Sequence, residues 1–277
     1  MNTGDARGAA TRRLSLPRVV LGTFTLTWQH RVDVARTIGI PLLVVIACTL
    51  AWNLAAMHVS KSGKWVFYAV YLLANCWLAV VTHRMVLMDE PGKPTHFDKA
   101  AWKRLFVFVG LVAALWALYV VMKLLIIKGV LDLVVFGARV PGSPKDALGF
   151  PDMTPWVKVL DIVGDWVPFL LIGRFILVLP AVATGERLQP GKAWRDSVGN
   201  GWRLAVIIGV LPWLLDMLVD LLYRNGATRF EFGLLLVLSS FCTVLGVIAL
   251  SLAYRDLVIL PASDATAPAP PPSDPPG

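Results

Sequence analysis

Four aspartates stand in two pairs whose spacing could do chemistry: Asp161 with Asp165, and Asp216 with Asp220. Each pair is four positions apart, so on a helix both carboxylates share one face. Carboxylates held together inside a membrane could bind a cation or relay protons for a transported solute. Lys158 extends the first face by a turn, and Lys123 and Lys128 stand where they could supply counter-charge at the same level. Two readings follow for the cluster Asp161, Asp165, Asp216, Asp220 and Lys123. It lines a polar cavity between helices, or it is a set of Asp–Lys pairs that ties helices together near one interface.

A second group consists of Arg84, Arg174 and Arg255, each followed by a short apolar run, in HRMVLMDEP, GRFILVLPA and YRDLVILPA. A guanidinium matches phosphate oxygens in a bidentate way, which makes these arginines candidates for lipid-phosphate contacts. The plainer reading is snorkelling, with the apolar stem in lipid and the charge at the head groups. The sequence has no phosphate-binding glycine loop, Gly-x-Ser-x-Gly elbow, His-Glu-x-x-His or metal-spaced cysteine cluster. The expectation is therefore a non-enzyme with no cofactor and no metal. Cys48, Cys76 and Cys242 fall in apolar stretches and read as small core residues, and the four histidines are scattered.

The elements that must position these groups follow from composition. Of 277 residues 57% are apolar and 16% charged, with a net charge of +8 and a mean hydropathy of +0.67. Soluble chains are about 45–50% apolar and about 25% charged, so a bilayer is the expected solvent. A spanning helix needs about 20 mostly apolar residues. Six stretches qualify: 38–57, 65–81, 105–122, 156–185, 204–222 and 232–254. The fourth carries Asp161 and Asp165 and the fifth Asp216 and Asp220. Asp165 is nine residues from Arg174, about 14 Å along a helix, which would set it near the middle of the bilayer. The first stretch reads as a span and not as a cleavable signal, because a long mixed segment precedes it and no small-residue cleavage site follows.

Six spans put both termini on one side. That side carries twice as many Lys and Arg as the other, which predicts cytoplasmic termini in a bacterial inner membrane. The basic surplus then faces anionic head groups. Nucleic acid is not an expected partner, because no basic patch with interleaved aromatics lies on a soluble module.

The three Arg-apolar endings are matched by three lead-ins carrying a tryptophan: FTLTWQHRVDVAR, HFDKAAWKR and GKAWRDSVGNGWR. The repeating unit is an interfacial amphipathic helix followed by a helical hairpin, and all three units run in the same sense. The expected division is a polar basic segment over 1–22, a membrane domain over 23–261 in hairpins 23–92, 93–187 and 188–261, and a disordered Pro/Ala-rich tail over 262–277. The longest outer loop is expected over 129–155. HRMVLMDE, RFILVLPAVATGE and KAWRDSVGNGWRL together resemble the polytopic bacterial membrane domain associated with glycerophosphodiester phosphodiesterases, and its stand-alone inner-membrane relatives. The resemblance covers about residues 20–260 and implies a membrane module without the enzyme.

The expectation is thus an all-α, six-span integral membrane protein, non-catalytic, in contact with membrane lipids or a membrane-protein partner. The alternative is a transporter of a small solute, ion or lipid that uses the intramembrane aspartates.

Overall fold

A computed structural model describes residues 13–55, 61–88, 99–137, 166–187, 189–210, 217, 221 and 229–260. Every regular element among them is helical and none is a strand. In chain order they are α1 (Leu16–Gln29), α2 (Arg31–Ala55), α3 (Lys61–Met88), α4 (Lys99–Gly137), α5 (166–172), α6 (Val178–Thr184), α7 (Pro190–Asp196), α8 (Gly201–Ala205) and α9 (Arg229–Tyr254). Two wider π turns extend the last two, Val206–Val210 after α8 and Arg255–Ile259 after α9.

Four helices are long and apolar enough to cross a membrane, over Arg31–Ala51, Trp65–Met88, Lys99–Gly129 and Gly233–Ile259. They answer to the first, second, third and sixth apolar stretches of the sequence. α4 is longer than expected: its 39 residues would extend about 58 Å at 1.5 Å per residue. The loop expected from residue 129 is therefore helical as far as Gly137. The run KGVLDLVVFG is mostly apolar and meets no proline, so nothing in it stops the helix. The Trp102 segment opens α4 itself, whereas the Trp28 segment spans α1 and the start of α2, and the Trp194 segment lies mainly in α7 and α8.

The described part of the fourth stretch is broken. α5 gives way to tight turns over 173–177, with Phe175 N–H donating to Ile172 O at 2.8 Å and Val178 N–H to Phe175 O at 3.0 Å, and α6 then resumes. Pro180 has no N–H to offer Ile176 O, and its ring crowds that carbonyl, so the chain tightens there instead of running straight. Residues 156–165, most of 211–228 and the tail from 261 lie outside the described residues.

The buried core gathers at one end of the bundle. α3 packs against α2, α4, α6 and α9, and α1 lies along α9. Leu78, Val81, Leu177, Ala183, Leu204, Ile248 and Ala253 are fully shielded there. Several polar groups in this core find partners within it. Thr82 Oγ1 donates to Leu78 O at 2.8 Å, and Ser251 Oγ to Val247 O at 2.8 Å. His83 Nδ1 meets Ser251 Oγ at 2.7 Å, and both residues are buried, so the pair pins α3 to α9.

Candidate functional site

Asp161, Asp165, Asp216 and Asp220 lie outside the described residues. Lys123 is half-buried on α4 and is engaged by a neighbour. Among the described residues no group of three or more His, Cys, Asp or Glu side chains could hold a metal ion.

The three arginines have different surroundings. Arg84 is half-buried near the end of α3 and engaged. Arg255 is exposed and borders a cleft of about 230 Å³ between α1 and α9, which Arg18, His30 and Asp256 also line. Arg174 is taken up by the protein. Its guanidinium carbon sits 3.6 Å from the centre of the Trp194 ring, and Nη2 donates to Trp194 O at 3.3 Å. Phe175 packs on the same indole, with ring centres 5.0 Å apart.

This arrangement explains the residues of the GKAWRDSVGNGWR stretch. A Cβ at Gly201 would lie 3.1 Å from Arg174 Cγ, so only glycine lets the arginine stem pass this closely without displacement. Asn200 is buried, and its Oδ1 accepts from Leu14 N–H at 2.8 Å and from Arg203 Nη1 at 3.1 Å. Ser197 Oγ donates to Trp194 O at 2.9 Å. The stretch is a latch that joins the broken fourth segment to the lead-in of α1.

Beside the latch lies a second cleft, of about 280 Å³. α6 ends at Gly185, whose φ of 90° is the left-handed conformation that glycine adopts without strain. Glu186 N–H then donates to Ala181 O at 2.9 Å, closing a Schellman-type turn that delivers Glu186 across to α9. Tyr254 donates its hydroxyl to Glu186 Oε2 at 2.8 Å. Arg187, Lys192 and Asp196 line the same cleft, with Val178, Ala181 and Val258 forming an apolar wall. Burial pushes the Asp196 carboxyl above the usual carboxylate range, against the pull of Lys192 and Arg195. Val258 sits on the π turn, a device that recurs at functional sites because it re-aims side chains within a helix.

Sequence reasoning passed over Glu186, Arg187, Lys192, Asp196 and Tyr254 as site residues. A signal existed at Gly185, a glycine directly after an apolar run and before charged residues, which marks a helix end. Four helices long and apolar enough to cross a membrane, with a charged shelf at the ends of α6 and α9, place the chain among all-helical proteins with membrane-type helices. Comparison with protein-family models, with curated proteins and with solved structures gives no match for this chain.

Proposed function

We propose that the chain is an integral protein of the bacterial inner membrane, with six spans in three hairpins and both termini in the cytoplasm. In this reading it is a non-catalytic membrane component that contacts lipids or a partner protein, similar in build to the membrane domain associated with glycerophosphodiester phosphodiesterases. The observation that carries it is the exposure of apolar side chains along the long helices: Ile40 and Leu43 on α2, Trp65 and Val66 on α3, Leu124 and Leu125 on α4. Water would make such a surface costly at about 25 cal/mol per Å², whereas acyl chains cover it without penalty. The charged shelf at the ends of α6 and α9 then sits at the cytoplasmic head groups, where a basic surplus is favoured.

The test is aqueous thiol labelling of Asp165→Cys and Arg187→Cys in a background lacking Cys48, Cys76 and Cys242. Position 187 should label in inside-out vesicles only, and position 165 should be protected from both sides. Labelling of 187 in intact cells would reverse the orientation. Labelling of 165 from outside would replace a packed component by a transporter with a water-filled cavity.

A further inference from the structure

The cleft bounded by Gly185, α7 and the end of α9 carries two carboxylates, Glu186 and Asp196, and two cations, Arg187 and Lys192, over an apolar wall. A lone anion would leave the carboxylates facing like charge, and a lone cation would do the same to Arg187 and Lys192. The group that matches the set carries both signs. We propose, building on the membrane reading above, that this cleft holds the head group of an amine-bearing zwitterionic phospholipid, with the ammonium on Glu186 and Asp196 and the phosphate on Arg187 and Lys192.

Each part of the ligand finds a counterpart. Glu186 is fixed by Tyr254 through Oε2, and a carboxylate has acceptor capacity at both oxygens, so it can still receive an ammonium N–H. Asp196 is an acid pushed toward protonation by burial, and an ammonium beside it would favour its charged form. Arg187 and Lys192 are exposed at the rim, where a phosphate can reach both. Val178, Ala181 and Val258 add an apolar wall on α6 and the extension of α9, against which the start of the acyl chains can lie. A soluble phosphoamine would leave this wall uncovered, so the ligand is the lipid itself.

The full-length chain in lipid nanodiscs or detergent micelles, followed by native mass spectrometry, provides the test. Phosphatidylethanolamine, phosphatidylcholine and phosphatidylglycerol with identical acyl chains are compared. Charge-assisted hydrogen bonds lost with the N-methylated ammonium correspond to about tenfold or more in retention. Phosphatidylethanolamine should therefore be held about tenfold over both others. Asp196→Asn should reduce that preference to about twofold or less, Arg187→Gln with Lys192→Gln should weaken retention of all three lipids without a gain for phosphatidylcholine, and the wild-type lipid series needs no variant at all. Equal retention of phosphatidylcholine, or preference for phosphatidylglycerol, overturns the proposal. Soluble phosphoethanolamine should not displace the lipid, and displacement at matched concentration overturns the lipid source. A chain that inserts but does not discriminate sinks this inference alone, whereas a chain that fails to insert sinks the membrane reading with it.

Discussion

α9 changes character along its length. In its first half Leu234, Leu238 and Phe241 point outward and are exposed, while from Ile248 to Leu257 nearly every apolar side chain is buried against α1, α3 and α6. The residue types in the two halves are alike; the neighbours differ. The buried half meets three helices and small residues that let them approach, and it carries the His83–Ser251 contact and the Tyr254–Glu186 hydrogen bond. The exposed half has the composition of a core, yet among its described side chains only Leu235 and Ser240 are buried. A helix can therefore be apolar all round for two reasons, and in a bilayer only close packing of side chains separates them, since lipid is as apolar as leucine.

The sharpest way to break this comparison is a pair of truncations. Ile248 is 0% exposed and Leu125 64% exposed. Ile248→Ala should destabilise by about 1–3 kcal/mol, the cavity share of a core truncation where the transfer share is absent in lipid. Leu125→Ala should change stability by less than about 0.5 kcal/mol. Unfolding in mixed micelles measures both, and equal costs would erase the distinction between the two regions.

A smaller effect tests the latch. Trp194→Ala removes the ring under Arg174 and the contact with Phe175, a loss of about 1–2 kcal/mol. Arg174→Lys should recover little of the stacking, because an ammonium lacks the planar face. Thermal unfolding of the two variants should fall together, and a neutral Trp194→Ala would mean that the stack contributes nothing.

Asn200→Ala should cost about 1 kcal/mol and act locally, because Leu14 N–H and Arg203 both lose an acceptor. Hydrogen exchange at the Leu14 amide should speed up while the end of α9 stays protected. Uniform loss of protection would show that α1 is not a separately latched element.

The smallest effect is electrostatic. Because the fold raises the Asp196 pKa, stability is greatest where this carboxyl is protonated and falls as pH rises through its folded value. In detergent free of phosphatidylethanolamine, Asp196→Asn should slightly raise the thermal midpoint at neutral pH and make no difference in acid below the ordinary carboxylate range. A variant less stable than wild type at neutral pH would reverse the sign.

Much of the architecture was legible in the sequence, because charge-free apolar runs define long helices without any knowledge of partners. Four of the six expected stretches appear as helices able to cross a membrane. The interruption over 173–177 was harder to see, since its cause is a proline within an apolar run and prolines are common in membrane helices. The tryptophan and arginine of the latch were both visible, in GKAW and GRF, but their pairing across 20 positions depends on a turn at Gly185 that no periodicity encodes. Glu186 and Tyr254 are 68 positions apart, and only folding makes them neighbours. The paired aspartates, by contrast, stand out by local spacing alone, and they lie outside the described residues.

The most direct measurement is the collision accessibility of a spin label at Leu125→Cys in nanodiscs, in the background without native cysteines. An apolar face that lies in the bilayer predicts frequent collision with oxygen and almost none with a water-soluble nickel chelate. Frequent collision with the chelate at position 125 would contradict it, because α4 would then face water and not the membrane.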